Sequence, residues 1–358
     1  MIIKTLTAEK YTLKLRKPFS YHTLTLKHLP YALVRVTTDI GIVGIGEAAL
    51  AWDVTGETQA GALAATKLIE LIITGSRLLE LEDVRKLMTN INEYLAGNTG
   101  LKAAIESALL DVLGQTKRKP IFALLGGKKR PFVRLQKTFS FEEMSDGLDS
   151  AIQEAQKQGV NIFKFKVGGD TSAEIDILRA TRKMFPSIDI VLDANQAWDS
   201  PASALKFLKV LGSVKIKWFE QPLRAQDYDG LATLRSKTNV SIIADESCHN
   251  LWQLKILHEK NALDLVNIKL SKCGGLLEAQ RMIGYCHKHG IKYMLGDMIQ
   301  SDVGTAYNLH AACLGDFVSY DLTLPSRLRS PGVSGLSWNG YTVEVPAKPG
   351  LGVTYRRA

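Results

Sequence analysis

Residues 188–222 read IDIVLDANQAWDSPASALKFLKVLGSVKIKWFEQP, and this stretch decides the fold. It holds two short apolar segments, Ile188–Leu192 and Ile216–Phe219, on either side of a helical pattern. Two buried strands joined through a helix predict a parallel strand–helix–strand unit. An acidic residue follows each apolar segment, Asp193 the first and Glu220 the second. Because parallel strands end at the same edge of a sheet, the unit also predicts that the two carboxylates converge there.

The same alternation continues through most of the chain after residue 132. Eight strand-like segments are found at Val133–Phe139, Ile162–Val167, Ile188–Leu192, Ile216–Phe219, Ser241–Ala244, Leu263–Ile268, Ile291–Leu295 and Phe317–Tyr320. Helical patterns lie between them, for example at Ala173–Met184, Ser200–Leu211 and Leu276–His289. Eight short, buried parallel strands are typical of an α/β barrel. An open doubly wound sheet is the alternative, but Gly168-Gly169 is too short to be a glycine-rich phosphate loop.

The first 116 residues have a different pattern, with strands before helices. Lys4–Leu15 and Tyr31–Thr38 mix β-branched and alternating apolar residues, and Gly41–Gly46 predicts a turn followed by a strand. The segment Thr55-Gly56-Glu57-Thr58 is a helix-start signal, and Leu101–Gly114 has an amphipathic helical pattern. This part of the chain is therefore predicted to be α+β.

Composition and charge exclude several classes of protein. The chain has 358 residues, of which 46% are hydrophobic and 23% charged, and a formal net charge of +9, as in an ordinary globular protein. Residues 1–130 hold 18 Lys and Arg against 12 Asp and Glu, but the basic runs lack interleaved aromatic residues. We therefore expect no nucleic-acid partner. No apolar run reaches the roughly 18 residues of a membrane helix, so we expect no membrane contact.

The cysteines and the start of the chain bear on the cellular compartment. The four cysteines, at positions 248, 273, 286 and 313, include no CxxC pair. The first 19 residues contain no apolar segment of the kind found in a secretory signal. Both features favour reduced thiols and a cytoplasmic location.

Ionisable residues follow the predicted strands, at the end where a barrel carries its active site. They are Lys164 and Lys166 on the second strand, and then Asp193, Glu220, Asp245, Lys269, Asp297 and Asp321 after the following ones. From Lys166 to Lys269 the spacings are 27, 27, 25 and 24 residues, or one strand–helix unit for each ionisable group. These side chains are therefore predicted to converge on one mouth. Isolated buried charges are costly, so such groups normally pair or bind a metal.

Three of these carboxylates, Asp193, Glu220 and Asp245, come from consecutive strands and offer only oxygen ligands. Oxygen ligands suit Mg²⁺, whereas zinc usually recruits His or Cys, and no His stands at these strand ends. Each carboxylate taken alone is equally compatible with helix capping. The three together favour a Mg²⁺ site.

The lysines suggest proton transfer. Lys164 and Lys166 are two apart on a strand and so point to the same face, while Lys269 follows the sixth strand, across the barrel. Lysines near a cation and near one another are expected to have a lowered pKa and to act as bases. Two bases on opposite faces of a carbon acid allow a proton to leave from one side and return from the other. Any one of these lysines alone is also compatible with a surface position.

Several motifs resemble those of the enolase superfamily, specifically its muconate-lactonising subgroup. They are KFK at 164–166, DAN at 193–195, FEQP at 219–222, ADES at 244–247, NIKLSKCGG at 267–275, GEA at 46–48 and PGLGV at 349–353. The resemblance implies an α/β fold, a (β/α)₇β TIM-type barrel over residues 126–324 with an α+β N-terminal capping domain over residues 1–125. The returning tail, residues 325–358, is expected to complete the capping domain. The resemblance also implies one Mg²⁺ per subunit and a homo-oligomer.

By position, the resemblance implies a role for each motif residue. Asp193, Glu220 and Asp245 match the Mg²⁺ ligands, and Lys166 and Lys269 match the paired acid/base lysines. Lys164 matches the neighbour that assists the substrate carboxylate. Asn195 and Glu246 match groups that orient the metal ligands.

Within the subgroup, three features resemble the dipeptide epimerases. They are the TGET segment at 55–58, the GxMxxS pattern of Gly296, Met298 and Ser301, and Asp321, which matches the first Asp of a DxD pair that binds the substrate ammonium group. The candidate substrate-binding residues are accordingly Tyr21, Thr138, Lys164, Asp297, Met298, Asp321 and Thr323. Muconate cycloisomerases, o-succinylbenzoate synthases and N-acylamino acid racemases share the lysine pair and remain alternatives. A non-catalytic binding barrel is the alternative outside the enzymes.

Two departures from the epimerase pattern bear on specificity. The second Asp of DxD is Thr323, and position 300 holds Gln where relatives usually carry Glu, so one ammonium-binding charge is missing. The loop Phe19–Leu24 contains no Arg, although a substrate with a Glu side chain would favour a cation there. We therefore expect dipeptides with small or apolar second residues, and no strict Ala-Glu specificity.

Overall fold

The structure is a computed structural model that describes residues 1–21, 24–144, 147–169, 171–329 and 332–356. His22 and Thr23 of the predicted substrate loop lie outside the described residues. So do residues 330, 331, 357 and 358 of the predicted returning tail.

The N-terminal part begins as an antiparallel sheet of three strands in the order β1-β2-β3. The strands are β1 (Ile3–Tyr21), β2 (Leu24–Thr38) and β3 (Val43–Ala48), and the helices that follow are α1 (Gln59–Ile73), α2 (Leu81–Tyr94), α3 (Thr99–Lys117) and α4 (Ile121–Leu124). Strands before helices confirm the predicted α+β character. We call this part the cap.

The TGET segment fixes the starts of two helices in the cap. The Thr58 side chain accepts a hydrogen bond from the Gly61 amide (3.2 Å) and caps α1, as the start signal predicted. The Glu57 carboxylate accepts the amides of Gly100 (2.9 Å) and Leu101 (3.0 Å), the first turn of α3. This motif therefore organises the cap, and its Glu does not face the cavity described below.

Helix α3 departs from the amphipathic pattern that its sequence suggested. Every residue from Gly100 to Gly114 is buried, because the cap sheet covers one side of the helix and the barrel's short helix Leu270–Cys273 lies against another. Strand β3 approaches it so closely that only glycine fits at two positions. A Cβ atom on Gly44 or Gly46 would lie 2.1 Å from the Ala108 carbonyl oxygen or 2.0 Å from that of Ala104.

The second part is the barrel, eight parallel strands in sequence order. The strands are β5 (Lys137–Phe139), β6 (Ile162–Lys166), β7 (Asp189–Asp193), β8 (Trp218–Glu220), β9 (Ser241–Ala244), β10 (Leu265–Ile268), β11 (Lys292–Gly296) and β12 (Tyr320–Asp321). The helices between them are α5 (Leu148–Lys157), α6 (Thr171–Met184), α7 (Pro201–Leu211), α8 (Tyr228–Ser236), α9 (Leu251–Glu259), α10 (Leu270–Cys273), α11 (Leu276–His289) and α12 (Asp302–Ala312). The predicted (β/α)₇β barrel with an α+β capping domain is confirmed, and each strand ends within one residue of its predicted end.

Contacts between the first and the last strand close the ring. The Gln136 amide donates to the Tyr320 carbonyl (2.9 Å), and the Thr138 hydroxyl donates to Asp321 Oδ1 (2.6 Å). Inside the barrel, Val191, Trp218, Ile243, Leu265 and Met294 form one buried apolar cluster. The interior is therefore packed, and the free space lies at the mouth.

The prediction of one continuous strand over Val133–Phe139 is wrong. The segment forms two strands in different sheets: β4 (Phe132–Arg134) pairs with a strand of the C-terminal tail, and only β5 joins the barrel. The change of sheet takes two residues, since the Leu135 amide donates to the Tyr341 carbonyl and the next amide, Gln136, to Tyr320. Single-sequence periodicity does not register such a change of partner.

The tail returns along both parts of the molecule. Its strands are β13 (Val333–Ser334), β14 (Trp338–Asn339), β15 (Thr342–Glu344) and β16 (Thr354–Tyr355), of which β13 pairs with β16, and β14, β15 and β4 form one sheet. Tyr355 packs edge-on against Tyr11 of the cap, 5.3 Å between ring centres, whereas β15 pairs with β4 next to the barrel. The domain limits at residues 125 and 324 stay a prediction.

Two further predictions from the sequence concern membrane-spanning helices and the state of the cysteine thiols. Among the described helices, none combines the length and apolar composition that a membrane crossing requires. All four cysteines are buried and free.

Glu106 of α3 ties the cap to the barrel. Its carboxylate accepts hydrogen bonds from the Tyr307 hydroxyl (2.6 Å) and from the Leu277 amide (3.1 Å). Burial raises the pKa of Glu106 to about 7, although these hydrogen bonds oppose the effect.

This burial predicts a pH dependence of stability. Between pH 4.5, the ordinary pKa of a glutamate, and about 7, the folded chain holds a proton that the unfolded chain releases. The free energy of unfolding therefore falls as the pH rises through this range, by up to roughly 3 kcal/mol for this one group. Glu106→Gln keeps an oxygen acceptor and removes the ionisable group. In denaturation curves measured across this pH range, the free energy of unfolding of the variant should therefore lack this pH-dependent contribution. The same pH dependence in both proteins would contradict the assignment.

Candidate functional site

A cavity opens at the carboxyl ends of the barrel strands, under the cap. It encloses about 1000 Å³, part of it open to solvent. The cap contributes mostly apolar side chains, among them Phe19, Leu26, Leu29, Leu50, Trp52 and Val54. The barrel contributes most of the ionisable groups, and Asp53 of the cap and Arg327 of the tail add two more. One side of the cavity therefore suits an apolar ligand group and the other suits charged chemistry.

Twelve of the fourteen predicted site residues line this cavity. They are Tyr21, Thr138, Lys164, Lys166, Asp193, Asn195, Glu246, Lys269, Asp297, Met298, Asp321 and Thr323. The other two, Glu220 and Asp245, are buried in the layer beneath its floor, with 0% and 1% exposure. The structure thus brings the predicted set together, because all but Tyr21 of the cap stand in or just after the carboxyl end of a barrel strand.

Lys164 lies at the centre of a buried network of charges. Its ammonium group is 3.2 Å from Asp193 Oδ2, 3.0 Å from Glu220 Oε2 and 2.5 Å from Asp321 Oδ2. Lys166 lies 2.7 Å from Asp193 Oδ2. Lys164, on the second strand of the ring, therefore joins the eighth strand, β12, to the third and fourth strands, β7 and β8.

Asp245 pairs with two lysines, one of which the sequence analysis did not select. Lys269 lies 2.7 Å from Asp245 Oδ2 and Lys272 lies 2.5 Å from Oδ1. Lys272 is 1% exposed and also donates to the Asn267 carbonyl (3.0 Å). Its position three residues after Lys269, on the helical turn α10, was the available signal, since that spacing returns a side chain to the same face.

Amides hold the charged groups in place. Asn195 accepts from the Lys166 ammonium group (2.6 Å) and donates to Glu246 Oε1 (3.0 Å), so it fixes a predicted base. Asn267, also missed from sequence, donates to Glu220 Oε1 (2.8 Å). The role expected for Asn195 and Glu246, orienting the metal ligands, stays a prediction.

The ion pairs set the direction of the pKa shifts. Burial raises the pKa of Glu220 to about 8, because Lys164 offsets only part of that effect. Burial acts against ionisation of Asp245 too, but Lys269 and Lys272 hold its pKa well below the usual range. Burial likewise acts to lower the pKa of Lys269, yet Asp245 outweighs it and raises this pKa. The ion pair with Asp245 thus sets this direction, and the lowered pKa expected for a lysine beside a cation stays a prediction.

The charges of the mouth fit a divalent cation. Four carboxyl groups (Asp193, Glu220, Asp245 and Asp321) form ion pairs with four lysines (Lys164, Lys166, Lys269 and Lys272), and the carboxyl groups of Glu246 and Asp297 line the same cavity. In the part of the chain that the structure describes, no three His, Cys, Asp or Glu side chains form a ready cage, because lysines stand between the carboxylates. The donors are all oxygen atoms, which suits Mg²⁺.

Backbone strain is concentrated at the strand ends. Asn195, Gln196 and Gln221, which follow two of the predicted metal ligands, have φ of +41°, +71° and +34°. Ile299 has φ of +59°, a costly conformation for a β-branched residue. It follows Met298, whose carbonyl accepts a hydrogen bond from the Tyr31 hydroxyl.

Thr323 and Gln300, the two residues that depart from the epimerase pattern at the predicted ammonium site, both have hydrogen-bond partners within the chain. Thr323 accepts the Gln300 amide (3.0 Å) and its own amide donates to Asp297 Oδ2 (2.7 Å). The Gln300 side chain accepts from Asn308 (3.0 Å) and does not line the cavity. Asp321 therefore provides the ionised acceptor on this wall, and Lys164 lowers its pKa to about 2 against the effect of burial.

Sequence reasoning also missed a cation in the cavity wall. Arg327, from the returning tail, lies over the Phe19 ring at 4.7 Å and donates to the Thr138 carbonyl (2.7 Å). Glu143 accepts from it at 3.2 Å, so its charge already has a partner. Phe19, which belongs to the loop that was noted for containing no arginine, thus contacts Arg327 from a distant part of the chain.

Comparison with known proteins identifies the family. Residues 3–126 match the mandelate racemase/muconate lactonizing enzyme N-terminal domain, and residues 148–358 match the enolase C-terminal domain-like model. The chain therefore belongs to the mandelate racemase/muconate lactonizing enzyme family within the enolase superfamily. The resemblance drawn from the motifs is confirmed, and the chain is an enzyme of the racemase and isomerase type.

Three relatives cover almost the whole chain. An N-succinyl-L-Arg/Lys racemase of Bacillus cereus is 30% identical over 95% of this chain and 92% of its own length. A hydrophobic dipeptide epimerase of Enterococcus faecalis is 32% identical over 99% of this chain and 100% of its own. The crystal structure of a dipeptide epimerase from Cytophaga hutchinsonii, complexed with Mg and D-Ala-L-Val, superposes with a TM-score of 0.92 at 29% identity, over 100% of this chain and 97% of that one.

The proposed ligand set predicts how metal binding responds to substitution. Asp193→Asn, Glu220→Gln and Asp245→Asn each remove an anionic oxygen, so each should weaken Mg²⁺ binding by more than about tenfold in a calorimetric titration. Asp316→Asn is the matched control, because Asp316 is 99% exposed and far from the mouth. Unchanged affinity in all three variants would rule out this metal site.

Proposed function

We propose that the chain is a Mg²⁺-dependent dipeptide epimerase that inverts an α-carbon by proton transfer between two lysines. The observation that carries the proposal is the position of Lys166 and Lys269. They stand at the ends of β6 and β10, four places apart in a ring of eight strands, and both line the same cavity above three buried carboxylates. Two bases on opposite sides of one cavity suit removal and return of a proton on opposite faces of a carbon.

Polar contacts hold the ammonium group of each lysine in place. The Lys166 ammonium group is fixed by Asp193 and Asn195, and that of Lys269 by Asp245. When bound, Mg²⁺ would neutralise the substrate carboxylate and stabilise the enediolate that forms. One lysine, deprotonated, takes the α-proton, and the other, protonated, delivers a proton to the opposite face. Lys164 lies beside the same carboxylates and would hold the second charge of the enediolate.

The walls suggest which substrates fit. Asp321 is the candidate acceptor for a substrate ammonium group, and Thr138 and Thr323 add neutral oxygen atoms beside it. The cap presents apolar side chains, and the charge of Arg327 is already paired. We therefore propose small or apolar dipeptide residues, and no strict preference for Ala-Glu. The Enterococcus faecalis relative, named for hydrophobic dipeptides, supports this preference.

A second candidate is an N-acylamino acid racemase. Both oxygens of Asp321 already have partners, Lys164 and Thr138, which weakens the case for an ammonium ligand there. The Bacillus cereus relative is named for N-succinylated amino acids, which carry no ammonium group at the acylated nitrogen. A muconate-type cycloisomerase would likewise give Asp321 no cationic partner.

Isotope exchange tests the chemistry. In D₂O with Mg²⁺, deuterium should enter the α-position of both diastereomers, as mass spectrometry of a dipeptide mixture would show. Lys166→Ala and Lys269→Ala should each lower epimerisation by about a hundredfold or more, because each base serves one face. Lys288→Ala, on the exposed side of α11, is the control. Normal turnover in both directions by either active-site variant would disprove the two-base mechanism.

A survey of substrates tests the specificity. A dipeptide library, with N-succinylamino acids added, should give the highest kcat/KM values for dipeptides with small or apolar residues. The reason is the apolar cap wall and the neutral Thr323. If Ala-Glu were far ahead of all others, the specificity would be refuted. If only N-succinylamino acids reacted, the second candidate would replace the first.

Two further features remain proposals from the sequence. We propose a homo-oligomer in the cytoplasm, as the family resemblance and the reduced cysteines suggest. Native mass spectrometry of the purified chain measures the first, and localisation by cell fractionation the second.

A further inference from the structure

A second cavity lies beside the first. It encloses about 480 Å³, again partly open to solvent, between a cap loop and the loops that follow β7, β8 and β9. Asp53, Val54 and Glu246 line both cavities, so the two spaces adjoin. We call the second one the side cavity.

The side cavity is polar and acidic. Besides Asp53 and Glu246, its walls include Gln196, Gln226, Tyr228, His249 and Gln253. None of the described residues that line it is a lysine or an arginine. Burial lowers the pKa of His249 to about 4, so this side chain is neutral near pH 7. The walls therefore offer two carboxylates and neutral polar groups.

Its walls are held by backbone contacts. Gln196 accepts the Ala225 amide (2.9 Å), and Gln253 accepts the His249 amide (2.7 Å). Asp53 accepts from the Tyr21 hydroxyl (2.7 Å), which leaves its second carboxylate oxygen available to a ligand. The shape is thus formed before a ligand arrives.

One buried atom in these walls has no partner. Glu246 is 7% exposed; its Oε1 accepts from Asn195, and its Oε2 accepts no hydrogen bond from the described chain. A buried acceptor without a donor is destabilising, so a donor is expected to meet it in the working enzyme. Because Glu246 lines both cavities, a substrate side chain that extends from the main cavity into the side cavity would pass its Oε2 atom.

The position of the side cavity indicates which part of the substrate reaches it. Glu246 directly follows Asp245, and Gln196 lies three residues after Asp193; these two aspartates are proposed to hold the ion that fixes the substrate carboxylate. Asp321, at the proposed amino end, lines only the main cavity. The side cavity therefore adjoins the carboxyl-terminal residue, the one whose α-carbon is inverted.

We infer that the side cavity binds a basic side chain, that of lysine or arginine, on the carboxyl-terminal residue of the substrate. The ammonium or guanidinium group donates to Asp53 and Glu246, and the aliphatic stem passes Val54. This inference rests on the proposed function, and it adds basic side chains to the apolar ones proposed above. Acidic side chains are rejected there, because they would face two carboxylates.

Asp53→Asn tests the inference, since it keeps the acceptor for Tyr21 and removes only the charge. The deuterium-exchange assay would compare L-Ala-L-Lys, L-Ala-L-Leu and L-Ala-L-Glu. We expect the native enzyme to turn over the lysine and leucine dipeptides, and the variant to lose about tenfold or more in kcat/KM for the lysine dipeptide alone. Asp53→Lys should reverse the charge preference and improve L-Ala-L-Glu over L-Ala-L-Lys.

The control is Asp229→Asn, a surface carboxylate on α8 that is 85% exposed and pairs with Lys260. It should leave all three rates unchanged. An equal loss for the lysine and leucine dipeptides in Asp53→Asn would overturn the inference, because it would assign Asp53 to the shape of the cap through Tyr21. Turnover of the leucine dipeptide without any of the lysine dipeptide by the native enzyme would overturn it too. Absence of exchange with every dipeptide would instead refute the proposed function itself.

Discussion

The charges at the mouth of the barrel have to compensate one another, because a buried charge without a partner costs several kcal/mol. Lys164 shows how far this constraint reaches. It is 1% exposed and joins Asp193, Glu220 and Asp321, which belong to three different strands. The network therefore holds only if those strands end at the same level. The same pairing that makes the burial tolerable also fixes the geometry of the groups proposed to be catalytic.

The cap depends on the barrel through a second set of buried carboxylates. Glu47, in the GEA motif, accepts the Ser301 amide (3.1 Å) after β11, and Glu106 accepts from Tyr307. Ser301 begins α12, two residues beyond the strained Ile299. The cap thus supports the loop that carries Met298 into the cavity. In the proposed substrate site, the barrel accordingly supplies most of the charge, and the cap supplies the apolar wall and Asp53.

Much of the site was predictable because parallel strands have a simple rule. A side chain that directly follows a buried strand reaches the mouth, so Asp193, Glu220, Asp245 and Lys269 could be chosen from spacing alone. Lys272 was missed because it stands on a helical turn after its strand, where the rule does not apply. Arg327 was missed for another reason: it comes from the returning tail, and its approach to Phe19 and Thr138 depends on contacts between residues far apart in sequence.

The sequence by itself determined the order of strands and helices, the ends of the barrel strands, and the residues gathered at the mouth. Those features follow from local hydrophobic periodicity and from the shared direction of parallel strands. Only the tertiary structure decided that Val133–Phe139 changes sheets, that α3 is buried on all sides, and that Asp53 and Glu246 border a second cavity. The physical reason is that burial and pairing are properties of surfaces brought together by the fold. The periodicity of a single segment predicts its own strand or helix. The segments that pair with it or pack against it depend on the fold of the whole chain.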